Sequence, residues 1–142
     1  MSAPEPAANI PPALRSGQAA EAQALQALRL EKNTEVWRPS LEQMASSDFQ
    51  RIVGSPHFTA RGLARGTVLD SVERELAEIK SGSSPLMSTY QLRLQTYRAV
   101  MEERPLKIYT NRPVDTDFRQ WLDPWGVRIE PLPPPALDSP DI

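Results

Sequence analysis

The strongest hydrophobic pattern in the chain lies in TYQLRLQTYRAVMEER, where Tyr90, Leu94, Tyr97 and Met101 recur at helical spacing. This predicts a helix with one apolar stripe, beside a polar stripe of Gln91, Gln95, Arg98 and Glu102. Pro105 ends it, and LKIYT at Leu106–Thr110 reads as a buried strand. Upstream, QAAEAQALQALRLEK is rich in strong helix formers, and Leu25, Leu28 and Leu30 give it an apolar stripe, so a helix is expected over about 17–32. After Pro39, Ser40 followed by Gln43 has the form of a capping box. Leu41, Met44, Phe49, Ile52 and Val53 then supply an apolar face, predicting a second helix over 40–53 that Gly54 stops.

The segment Ser55–Gly66 reads as a loop, with Pro56 and Gly62 inside it. Two short strands are expected next, Thr67–Ser71 and Glu75–Lys80, close enough in sequence to form a hairpin. Ser81–Pro85 is a turn. A short helix at Asp115–Leu122 and a last strand at Val127–Glu130 complete the pattern. Helices alternating with strands in this way point to an α/β domain with helices covering a central mixed sheet.

Composition bounds this picture. The 142 residues suit one domain, and the 15 prolines are about double the usual share. They cluster at the ends, with Pro4, Pro6, Pro11 and Pro12 at the start and Pro131, Pro133, Pro134, Pro135 and Pro140 at the close. Both ends are therefore expected to be extended or disordered. The expected organisation is a proline-rich linker over 1–17, a helical connector over 18–38, the folded domain over 39–130 and a proline-rich tail over 131–142. No stretch is apolar enough to insert in a membrane, and there is neither a basic start nor an apolar signal core, so export by a general secretory route is not expected.

The net charge of −2 argues against a polyanion partner only until its distribution is read. Residues 51–112 carry ten cations and six anions, whereas the segments on either side are net acidic. Local potential governs contact, so the basic centre can still hold a nucleic acid.

Cysteine is absent and His57 is the one histidine, which excludes disulfide scaffolds, thiol catalysis and Cys/His zinc sites. A working metal would have mainly oxygen ligands, favouring magnesium, manganese or calcium. Asp70 closes the first strand of the expected hairpin, while Glu78 and Lys80 project from one face of the second. Two neighbouring carboxylates repel, and a divalent cation lets both stay ionised. A lysine beside them can orient a water and offset charge on a phosphate. The same spacing also suits a solvated hairpin edge with a cross-strand ion pair.

The segment from Gly66 to Arg112, with GTVLDSVERELAEIKSGSS, YQLRLQTYRAV and LKIYTNRP, resembles the PD-(D/E)XK nuclease superfamily. More narrowly, it resembles the restriction-endonuclease-fold toxin domains of bacterial polymorphic toxins. The resemblance covers about residues 40–130 and implies a restriction-endonuclease-like fold. It places Asp70 and Glu78 at a Mg²⁺ (or Mn²⁺) site and makes Lys80 the assisting base or charge. Gln91 and Gln95 fall where relatives carry auxiliary polar residues of the catalytic set. Leu69 stands where the family name has proline, and the Gln-x-x-x-Tyr pattern of the exonuclease branch is not met. Relatives sometimes add an acidic residue from the first helix; Glu42 and Asp48 are the candidates.

The expected function is thus a metal-dependent DNase acting as an antibacterial toxin. Such a toxin implies a DNA substrate, a cognate immunity protein, and a delivery trunk or secretion-system adaptor. Delivery would be by a specialised secretion system into the target-cell cytoplasm. Arg61, Arg65, Arg93, Arg98 and Arg112 are candidates for phosphate contacts, with His57 as a further nucleic-acid contact or a structural histidine. Ser83 and Ser84 could present hydroxyls to phosphate or simply form the turn. Phe118, Trp121 and Trp125 read as packing residues rather than a base-stacking platform. The alternatives are an RNA-directed or housekeeping nuclease of the same fold, or a non-catalytic binding module that keeps the fold.

Overall fold

Short apolar runs separated by helix-forming runs give the chain its layers. In a computed structural model describing residues 12–134, these runs form α1 (Pro12–Leu28), α2 (Leu41–Met44), α3 (Ser47–Ile52), β1 (Leu76–Lys80), α4 (Tyr90–Glu102), β2 (Leu106–Thr110), α5 (Thr116–Leu122) and β3 (Arg128–Pro131). A 3-10 turn at Asp123–Trp125 follows α5. The strands form one three-stranded sheet in the order β1-β2-β3, parallel throughout. The α/β class holds, while the expectation of a mixed ladder is corrected.

The correction has a local cause. Thr67–Ser71 does not form the expected strand; it makes isolated antiparallel bridges at its two ends, Thr67 with Trp37 and Ser71 with Ala77. The backbone N–H groups of both Asp70 and Ser71 donate to Ala77 O, at 3.0 and 3.2 Å. Two residues facing one is the hydrogen-bonding pattern of a β-bulge, which stops a regular ladder and re-aims a side chain. Two residues further along β1, the Asp70 carboxylate takes the place of a backbone carbonyl, with Ile79 N donating to Oδ2 at 2.7 Å. An antiparallel fringe therefore lies beside β1, short of a true hairpin.

The two faces of the sheet are covered differently. Leu76, Leu106 and Ile108 pack with Leu92 and Ala99 of α4 and with Phe118 and Leu122 of α5. The alternate positions Ala77, Ile79 and Tyr109 pack with Ala24 and Leu25 of α1 and with Leu30. Residues expected to be a connector thus supply part of the core, because α1 covers apolar sheet surface that would otherwise face water. This helix starts at Pro12, earlier than expected. The remaining expected linker and the tail beyond Pro134 lie outside the described residues.

The predicted helix over 40–53 is two helices. The capping box forms, with Gln43 N donating to Ser40 Oγ at 3.0 Å and Ser40 N to Gln43 Oε1 at 2.8 Å. Ser46 then caps a second start, accepting from Phe49 N at 3.1 Å. A serine hydroxyl that competes for backbone donors restarts the helix here. Met44, Phe49, Ile52 and Val53 meet Tyr90, Leu94 and Tyr97 of α4, so most of the predicted α4 stripe is buried against this pair. Met101 is the exception and is exposed. Phe118 is buried, and Trp121 and Trp125 pack partly buried against the core, as expected of packing residues. Among the described residues no helix is long and apolar enough to cross a membrane.

Gly66 shows how tightly the fringe is drawn. A Cβ there would lie 2.5 Å from Trp37 O and 2.6 Å from Val36 Cγ1. Only a residue without a side chain lets the 64–67 loop approach the Trp37 backbone this closely.

Candidate functional site

The bulge delivers Asp70 to the edge of β1, and strand alternation sets Glu78 and Lys80 on the face that looks toward α4. Glu78 is buried at 7% exposure, and its Oε2 lies 3.4 Å from Lys80 Nζ. The Lys80 side chain stays about one-third exposed, so one end of the pair is dry and the other meets solvent. Gln95 of α4, expected on the polar stripe beside the apolar one, is only 1% exposed. It donates from Nε2 to Thr67 Oγ1 at 2.9 Å. The fringe beneath the helix offers this inward glutamine the Thr67 hydroxyl as a partner.

Electrostatics at this edge are strained. Burial pushes the Glu78 carboxyl up to about 7, the Asp70 charge pushes it further in the same direction, and Lys80 with the adjacent Gln95 amide opposes the rise. Burial also raises Asp70, to about 6, against the Ile79 N–H that favours its ionised form. Buried side-chain atoms left without a hydrogen-bond partner among the described residues are Ser71 Oγ, Glu78 Oε1 and Gln95 Oε1. A buried polar atom of this kind costs about 1–3 kcal/mol unless something outside the chain satisfies it.

A divalent cation fits this donor set. Asp70 and Glu78 offer hard oxygen ligands and Glu78 Oε1 is unspoken for, while oxygens from water or phosphate could complete the coordination. Among the described residues there is no group of three or more His, Cys, Asp or Glu side chains in a metal-holding arrangement, so the chain itself offers a pair of carboxylates.

The other predicted residues are placed elsewhere. Gln91 is exposed and reaches Gly66 O at 3.2 Å, so it fastens α4 to the loop. His57 stacks on the Tyr90 ring at 3.9 Å between centroids, a packing role. Arg93 bonds Val53 O and Ser88 Oγ. Arg98 pairs with Glu102 at 2.9 Å and lies over the Trp37 ring. Arg112 holds the 81–85 turn through Ser84 O at 2.7 Å and Pro85 O at 2.9 Å. Arg61 and Arg65 stand exposed in the loop, without a side-chain bond to another described residue. Ser83 and Ser84 are exposed turn residues. Glu42 lies exposed in the first turn of α2, and Asp48 pairs with Arg51 at 2.7 Å, so both are surface acids.

Sequence reasoning missed Glu21 and Lys32. Glu21 lies on α1 beside Asp70, and Lys32 forms an ion pair with it. The signal available was the single acid within QAAEAQALQAL, which helix periodicity alone could not aim. Comparison of the chain with protein-family models, with curated proteins and with solved structures finds no match.

Proposed function

We propose that this chain is a divalent-metal-dependent nuclease that cleaves DNA, of the restriction-endonuclease type that its Asp70 and Glu78-x-Lys80 pattern resembles. The observation that carries the reading is the buried Glu78 with its unpartnered Oε1, held between Asp70 and Lys80 at the edge of β1. A solvated ion pair would not need a carboxylate this deeply buried, since exposed pairs contribute little to stability.

In this reading Asp70 and Glu78 hold Mg²⁺ or Mn²⁺. When bound, the cation supplies Lewis-acid stabilisation for charge building on the phosphate oxygens. Lys80, poised next to Glu78 and open to solvent, orients a water for attack at phosphorus and offsets the developing negative charge. Gln95 braces the site from α4 through Thr67. Of the five candidate arginines, Arg61 and Arg65 make no side-chain bond to another described residue and are free to meet the phosphate backbone. Action as an antibacterial toxin, with a cognate immunity protein and a secretion-system adaptor, follows from the same resemblance and belongs to the proposal.

The test uses the purified chain with Mg²⁺ or Mn²⁺ and supercoiled plasmid, with RNA offered separately. Glu78→Gln and Lys80→Ala should each reduce cleavage at least about a hundredfold while circular dichroism stays unchanged. Full activity in both variants removes the site assignment. Cleavage of RNA alone replaces DNA as the substrate.

A further inference from the structure

Glu21 and Lys32 form the most informative group outside the Asp70, Glu78 and Lys80 set. Glu21 reaches Asp70 from α1, and Lys32 closes an ion pair with Glu21. The position of Lys32 is fixed by the next residue. Asn33 donates from its backbone N to Asp70 O at 2.8 Å and from Nδ2 to Leu69 O at 2.9 Å. These bonds clamp the main chain beside Lys32 against the residue that bears the Asp70 carboxylate, while the Lys32 side chain stays 58% exposed and able to turn away. It lines two cavities, one of about 220 Å³ with Gln18, Glu21 and Ala22, and one of about 240 Å³ that includes Asn33 and Val72.

Glu21, Asp70 and Glu78 all act electrostatically on Lys32. Asp70 is repelled by Glu21 on one side and repels Glu78 on the other unless positive charge offsets them. Glu78 gives an independent sign that a ligand belongs there, since it is 93% buried with Oε1 unpartnered. Lys80 is already engaged with Glu78, which leaves the Glu21 and Asp70 side to another cation.

We propose that Lys32 is a displaceable counter-ion of this site, held by Glu21 while no divalent cation is bound and driven off when one enters. The inference rests on the metal-site reading above and adds a residue that competes with the metal. An ammonium on a flexible four-carbon stem relieves the carboxylates without coordinating them. A divalent cation carries twice the charge, contacts the oxygens directly and repels the ammonium. Lys32 therefore protects the metal-free fold and weakens metal affinity.

The experiment measures Mn²⁺ binding to the full chain by calorimetry, and the melting temperature with and without Mn²⁺, for the wild type, Lys32→Met and Lys32→Arg. Lys32→Met should bind Mn²⁺ about tenfold more tightly, as expected for removing one unit charge near a divalent ion. Without Mn²⁺ it should melt below the wild type, and Mn²⁺ should raise its melting temperature by more. Lys32→Arg keeps the charge and should stay close to the wild type in affinity. Equal or weaker Mn²⁺ affinity in Lys32→Met, with the wild type still binding, overturns the counter-ion role and leaves the metal site standing. Absence of Mn²⁺ binding in all three removes the metal-site reading and the counter-ion with it.

Discussion

The two sides of the small sheet are built to different standards. On the inner side of β1 the ladder runs regularly through β2 to β3, and Thr110 Oγ1 of β2 donates to Lys80 O at 2.6 Å and accepts from Arg112 N at 3.0 Å. On the outer side of β1 the pairing breaks into isolated bridges, and the three unpartnered buried atoms found among the described residues lie on or beside it. Local regularity is what a sequence selected for folding should favour, and departures from it concentrate where chemistry is needed. The contrast teaches that the fringe of β1 buries polar groups that its own pairing leaves unsatisfied, while the apolar residues of the sheet supply the core.

The largest effect should come from attacking the regular side. Ile108 is fully buried between α4 and α5, and Ile108→Ala should cost about 2–5 kcal/mol, read as a lower urea midpoint with little change in slope. A loss below about 1 kcal/mol would mean that this face does not carry the core.

Gly66 probes how far the fringe can relax. Gly66→Ala drives a methyl into Trp37 O and Val36, and should cost about 1–3 kcal/mol with loss of protection at the Thr67 and Trp37 amides in hydrogen exchange. Unchanged protection would show that the fringe is looser than its hydrogen bonds imply.

The smallest expected effect has the opposite sign and separates the two sides most sharply. Asp70 and Glu78 have carboxyl groups raised in the folded chain, to about 6 and about 7, above their ordinary values. Between about pH 4 and pH 7 the folded state therefore binds more protons than the unfolded state, so the metal-free protein loses stability as pH rises through this window. The melting temperature without metal should be a few degrees higher at pH 5 than at pH 8, and Glu78→Gln should flatten that slope. Divalent binding should follow the reverse trend, strengthening from pH 5.5 to 8 as protons leave the ligands. A metal-free protein whose stability rises steadily over the same range would contradict the buried-carboxylate account.

The elements that were legible in the sequence are those made by local forces. The α4 periodicity, the Ser40–Gln43 capping box, the β2 run and the β3 run all appear close to where pattern placed them. The 40–53 helix was misread because Ser46 offers the backbone a second cap in the middle of an apolar pattern. Thr67–Ser71 departs from a regular strand because its hydrogen bonds go to three different partners, Asn33, Trp37 and Ala77, which no propensity of its own residues reveals.

The candidate site divides along the same line. Its core set, Asp70, Glu78 and Lys80, was visible by residue type and the two-residue strand repeat, a spacing that equally suits a cross-strand ion pair, and the family resemblance is what marked it as a site. Gln95 and Gln91 could be named but not told apart, since both sit on the polar side of a helical wheel; packing buried one and left the other at the surface. Glu21 and Lys32 stayed hidden because their place depends on α1 folding back onto β1.

By itself the sequence determined an α/β chain without thiol or paired-histidine chemistry, a basic middle segment, and an acid, acid and lysine set on neighbouring extended segments. Those follow from composition and from backbone periodicity, which act over a few residues. Only the tertiary structure decided that Glu78 is dry, that Asp70 is turned by a bulge, and that Lys32 and Glu21 stand beside them. Burial and long-range pairing set the proton affinities and the positions of charges, and both are properties of distant segments brought into contact.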